Sequence, residues 1–178
     1  MSQLLLAVYE SEDTAEHVLG VLRAQGDELT ASLESAAIVR LRGDSSFTVI
    51  RTEHARSSGS FWGVFWAAFF GLTFRLPARV PATDSSVGQL FGTIERAGLD
   101  EHFRARVRRA LRRGTSALAL FALNWNTETL VDQLYLRPDT YVRARLSPEQ
   151  DFELLKELGR LPVDDEQSPH QGGAALSG

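Results

Sequence analysis

The stretch FWGVFWAAFFGLTF, at positions 61–74, decides the fold of this chain. It contains no charged residue, so a helix through it is apolar on every side. Fourteen helical residues reach only about 21 Å, which is less than the roughly 30 Å hydrocarbon core of a bilayer. The sequence therefore predicts a short helix from Phe61 to Phe74 that must be covered by something other than water, but does not span a membrane.

Small and aromatic residues share this segment. Three small residues recur at every fourth position and make a smooth stripe on which another helix can pack closely: Gly63, Ala67 and Gly71. Aromatic residues fill much of the remaining surface and would supply buried area: Trp62, Phe65, Trp66, Phe69 and Phe70. Three covers are open at this point, namely the next helix of the same chain, a second copy in a homo-oligomer, or shallow membrane insertion.

Length and composition bound the remaining choices. The 178 residues suit one domain, and a net charge of −4 does not steer the chain toward nucleic acid. The absence of cysteine excludes disulfides and thiolate chemistry. The first residues, MSQLLLAVY, lack a basic region and predict a strand in a cytoplasmic protein rather than a signal peptide. Lys156 is the single lysine among 19 basic residues, which is typical of a GC-rich bacterial genome.

Apolar periodicity and turn residues predict ten elements besides the apolar helix. The chain begins with a strand, a helix and a β-hairpin: Leu4–Tyr9, Thr14–Gln25, Ala36–Arg42 and Phe47–Thr52. After the apolar helix come two helices and a strand: Val87–Ala97, Glu101–Arg113 and Thr115–Leu123. A helix, a strand and a helix follow: Thr127–Leu136, Tyr141–Leu146 and Pro148–Leu158.

This order predicts an α+β fold. With the apolar helix and its successor set aside, it reads β-α-β-β-α-β, the connectivity of a ferredoxin-like split β-α-β sandwich. We expect an antiparallel sheet with helices on one face, an inserted helical hairpin at 58–97 and a C-terminal helix-strand-helix appendage. Residues 1–161 would form the single domain, and the acidic and then Gly/Ala/Ser-rich residues 162–178 a disordered tail.

The helix predicted at Glu101–Arg113 carries six arginines in ten residues. Four of them are candidates for contact with an anion or with lipid headgroups: Arg104, Arg108, Arg109 and Arg112. A solvated face is the alternative, because cations near a helix C-terminus are favoured by the helix dipole. No aromatic residues are interleaved to stack bases, so nucleic-acid binding is not expected.

No catalytic, metal or nucleotide signature is present. The four histidines lack partners at metal-ligating spacing, and no serine lies in a G-x-S-x-G setting. We therefore expect a non-enzymatic protein without a cofactor and without an identifiable small-molecule substrate.

Three segments together carry a family resemblance: WGVFWAAFFGL at 62–72, GLD at 98–100 and LRRGTSAL at 111–118. Over roughly residues 3–146 the chain resembles a bacterial family known only as domain of unknown function twelve sixty-nine. The resemblance implies a β-α-β-β start followed by a glycine-rich apolar helical hairpin, and it implies no activity, substrate or catalytic residue. Members are often described as membrane proteins because of the hairpin. This chain departs from that pattern, because its second arm, VGQLFGTIER at 87–96, is polar.

These observations lead to one expectation and two alternatives. We expect self-association through the apolar small-residue helix. The first alternative is a membrane-peripheral protein that uses the aromatic helix and the arginine-rich helix. The second is a small-molecule binder that uses the face of the sheet.

Overall fold

The computed structural model describes residues 2–25, 33–41, 47–54, 60–75, 86–123 and 127–159. The tail predicted at 162–178 lies outside these residues. The strands are β1 Ser2–Tyr9, β2 Leu33–Leu41, β3 Phe47–His54, β4 Ser116–Leu123 and β5 Thr140–Arg145. The helices are α1 Thr14–Ala24, α2 Ser60–Phe74, α3 Ser86–Arg96, α4 Glu101–Ala110, α5 Thr127–Gln133 and α6 Pro148–Leu158.

The end of α4 differs from the sequence prediction. Leu111 has an extended backbone, with φ −84° and ψ 107°, so Arg112 lies beyond the helix. The turn into β4 is held by Thr115, whose hydroxyl accepts from the Arg112 amide at 3.0 Å and donates to the Arg112 carbonyl at 2.5 Å. The helix therefore ends before Arg112, whose backbone is bound by Thr115 in the turn that leads into β4.

All five strands form one antiparallel sheet in the order β3-β2-β4-β1-β5. The predicted hairpin of β2 and β3 is present, and the α+β class is confirmed. The prediction that β5 belongs to a separate appendage is wrong, because β5 pairs with β1 from Gln3↔Arg145 to Val8↔Thr140. A ferredoxin-like sheet made from the first four strands would place β3 beside β1, whereas the structure places β4 there.

Helices cover both faces of this sheet, which corrects the prediction of helices on one face. Alternate residues of β1 point to opposite sides. On one side Leu5 and its neighbours pack against α1 and α5. On the other side Leu4 and its neighbours pack against α2, α3, α4 and α6. A three-layer arrangement of this kind explains why β1 is buried along its whole length and lacks a polar face.

The apolar helix α2, which was predicted as the first arm of an inserted helical hairpin, packs in the second of these layers. Trp62 packs on Phe121 of β4 with ring centroids 4.9 Å apart, and Phe69 lies 6.1 Å from Phe103 of α4. Leu90 of α3 belongs to the same hydrophobic cluster. The aromatic sides of α2 are therefore covered within the chain, by the sheet and the neighbouring helices.

Candidate functional site

The outer side of α2, defined here as Gly63, Val64 and Ala67, differs from the rest of the helix. These three residues are half-buried, whereas the five aromatic residues predicted for self-association are at most 1% exposed. Gly71 is buried. Among the described residues, no atom lies within 4 Å of a Cβ built on Gly63. The first two residues of the small-residue stripe therefore lie partly exposed while the third, Gly71, is buried, and the space beside Gly63 is not filled by a described neighbour.

One side of α4 is neutralised by ion pairs. Arg104 is 4% exposed and donates to the Leu99 carbonyl at 2.8 Å. The same guanidinium contacts the carboxylates of Glu95 at 2.9 Å and Glu101 at 3.4 Å. Arg108 donates to the Thr73 carbonyl at 2.9 Å and also to the carboxylate of Glu101. Both arginines thus attach α4 to α2 and α3, and neither offers a free cation to a ligand.

Glu101 is the shared acceptor of this network. Its hydrogen bond from Arg108, supported by a second from Arg75, lowers the pKa of Glu101 from 4.5 to about 2 against the opposing effect of desolvation. A carboxylate with a lowered folded-state pKa adds stability above its ordinary pKa, and this contribution is lost as the pH falls through about 2. The side chain of Glu101 is 53% exposed, so solvent screening keeps the contribution small.

The opposite side of α4 borders a cleft of about 430 Å³ against the start of β5. Three arginines lie in its wall, and we call it the arginine cleft: Arg106, Arg109 and Arg112. Apolar residues line it as well: Val8, Ala110 and Val142. Its polar lining also includes Glu10, Thr115, Asp139, Thr140 and Tyr141.

The three cleft arginines are not neutralised by the described part of the chain. No described carboxylate lies within 4 Å of their guanidinium nitrogens. Arg109 donates through Nε to the Ala105 carbonyl of its own helix at 3.4 Å, which leaves its terminal nitrogens unused in the described structure. Asp139 accepts from the Glu10 amide at 3.0 Å instead of pairing with an arginine. The cleft therefore combines three arginines that have no described carboxylate partner with a mainly polar lining.

The structure thus separates the four arginines predicted for anion or lipid contact. Arg109 and Arg112 meet in the cleft, whereas Arg104 and Arg108 are occupied on the other side of α4. Sequence reasoning missed Arg106. Its spacing of three from Arg109 places both on one helix side and could have identified it.

Within the ranges that the structure describes, no helix is long and apolar enough to cross a membrane. This agrees with the short length and the polar second arm noted in the sequence.

Comparison with known proteins identifies a family. Residues 60–159 match the model of a family described as "Protein of unknown function (DUF1269)". The resemblance drawn from the segments at 62–72, 98–100 and 111–118 is confirmed, while residues 1–59 lie outside the match. No curated protein and no solved structure matches the chain.

Proposed function

The chain belongs to the DUF1269 family of proteins of unknown function, and we propose that it is a non-enzymatic protein that self-associates through the outer side of α2. The observation that carries the proposal is that the described residues of this half-buried surface carry no polar side chain. A helix at a protein surface ordinarily places charged or polar residues toward solvent. Gly63, Val64 and Ala67 supply none.

A second copy of α2 is the partner that fits this surface. Gly63 and Ala67 are one helical turn apart, so two helix backbones can approach closely along them. In a twofold dimer the same patch serves both subunits, and a flat patch of small residues is complementary to itself. The open space at Gly63 is where the partner helix would pack.

Size-exclusion chromatography with light scattering at tens of micromolar tests the proposal. The wild-type chain should elute as an oligomer, and Gly63→Arg should elute as a monomer, because a long charged side chain blocks close approach. Gly20→Arg is the matched control. Gly20 lies on α1, on the opposite face of the sheet, and also has open space around its Cβ position. A strictly monomeric wild-type chain, or equal loss of oligomer in both variants, would overturn the proposal.

The two alternative functions have less support. A membrane-bound state that inserts the aromatic helix would need exposed aromatic side chains, but Trp62, Phe65, Trp66, Phe69 and Phe70 are buried in the chain. A ligand site on the face of the sheet would need uncovered strands, but β1 is buried along its length and β4 nearly so.

We also propose that the fold has a ferredoxin-like core made of β1, α1, β2, β4, α5 and β5. The strand order β2-β4-β1-β5 is antiparallel, with β4 inserted between the two strands that α1 connects. In this description β3 is an added edge strand, and α2, α3, α4 and α6 form the second helical layer.

A further inference from the structure

We propose that the arginine cleft binds the phosphate group of an anionic ligand. The proposal is independent of self-association, because the cleft lies at the C-terminal end of α4 and the start of β5, away from the outer side of α2.

Arginines lie on both sides of α4, but only those on one side have carboxylate partners for their guanidinium groups among the described residues. Arg104 and Arg108 are satisfied by carboxylates and backbone carbonyls of neighbouring elements. Arg106 and Arg112, by contrast, have no partner for their guanidinium groups among the described residues. Arginines that serve only to hold the fold together would be expected to resemble the first pair. The cleft also contains Glu10 and Asp139, but neither lies within ion-pair distance of these arginines, and unpaired like charges close together favour the binding of an anion.

Guanidinium groups select the kind of anion. The planar guanidinium fork forms two parallel hydrogen bonds with the oxygens of a phosphate or carboxylate. Three such groups around one cleft can contact several oxygens at once, which suits a phosphate better than a single carboxylate. A phosphate is therefore the ligand group that fits the charge and the donor geometry.

The backbone that carries Arg112 is fixed before any ligand arrives. The Thr115 hydroxyl bonds to both the amide and the carbonyl of Arg112, and the extended Leu111 directs the chain away from the helix axis. This turn thus fixes the backbone position from which the exposed Arg112 side chain reaches the edge of the cleft.

The rest of the ligand is constrained by the other walls. Ala110 offers some apolar contact, since Val8 and Val142 are buried, and the volume of about 430 Å³ falls in the range of small-molecule sites, about 300–1,000 Å³. Glu10 and Asp139 repel anionic groups, so the phosphate groups of a ligand would lie toward the arginines, and these carboxylates can accept hydrogen bonds from hydroxyl or amino groups. Either a free phosphorylated small molecule or a phospholipid headgroup has this chemistry.

The proposal is tested by titrating the full chain with pyrophosphate at low salt. Binding is measured by calorimetry and by the change in the thermal unfolding temperature. The cleft variant is Arg109→Gln with Arg112→Gln. The control is Arg143→Gln with Arg145→Gln, which removes two charges from β5 outside the cleft lining. Pyrophosphate should raise the Tm of the wild type and of the control. The cleft variant should bind at least about tenfold more weakly, because each charge-assisted hydrogen bond lost is worth roughly 1.5–3 kcal/mol.

Co-sedimentation with vesicles distinguishes the two sources of phosphate. Pelleting with phosphatidylglycerol vesicles but not with phosphatidylcholine vesicles, lost in the cleft variant alone, identifies a lipid headgroup. Pyrophosphate binding without pelleting identifies a free ligand. Circular dichroism establishes that both variants are folded. If neither probe binds, or if the control loses binding equally, the cleft is only a solvated arginine surface and the proposal is wrong.

Discussion

At the scale of single residues, one buried hydrogen bond fixes α2 on the sheet. The Trp66 indole Nε1 donates to the Ser35 Oγ at 2.8 Å, with both residues at most 1% exposed. A buried indole N–H needs an acceptor, and Ser35 lies where the register of β2 against β4 shifts. The sequence could predict that Trp66 is buried. It could not predict the partner, because a strand irregularity 31 positions away supplies it.

This hydrogen bond has a measurable contribution to stability. Ser35→Ala leaves the indole N–H buried and unsatisfied, and we expect it to lower the free energy of unfolding by about 1–3 kcal/mol. Trp66→Phe removes the donor as well as some buried area. Because the pair is coupled, the double variant should lose less than the sum of the single losses in urea denaturation. Strictly additive losses would show that the two side chains do not interact.

At the scale of elements, local patterns located helices and strands well but could not orient them. The predicted α6 matches the structure, and the predicted α2 differs from it by one residue. Because α2 has no polar residue to mark a solvent side, its sequence does not reveal that Trp62 points inward and Gly63 outward. For α4, the sequence did not reveal which arginines are paired within the chain. Only the fold shows which arginines lie near Glu95 and Glu101.

The outward orientation of Gly63 predicts a stabilising substitution. Gly63→Ala should raise the free energy of unfolding by up to about 0.5–1 kcal/mol, since alanine is the better helix former and its Cβ meets no described atom. Gly20→Ala, in the open middle of α1, should give a similar gain. The free energies of unfolding are compared by urea denaturation, at protein concentrations where light scattering detects only monomers. A loss of stability in Gly63→Ala alone would mean that this space is already filled.

At the scale of the whole molecule, the sheet joins parts of the chain that the family match separates. β4 and β5 lie within residues 60–159, but β4 is paired on both sides by β1 and β2, and β5 is paired by β1. Sequence patterns did not predict this, because strand order depends on contacts between distant segments rather than on local periodicity. The same pairing explains why β5, which was expected in an appendage, is part of the sheet.

The topology predicts that the family-matched segment is not an independent folding unit. A fragment of residues 60–159 would leave both edges of β4 unpaired and would expose the aromatic face of α2, so it should show no cooperative urea transition. Adding a fragment of residues 1–59 should restore the near-ultraviolet circular dichroism of the full chain. A fragment of residues 1–159, which contains every described contact, is the control and should unfold like the full chain. A cooperative transition and native-like near-ultraviolet signal from residues 60–159 alone would show instead that the second helical layer can be covered without β1 and β2.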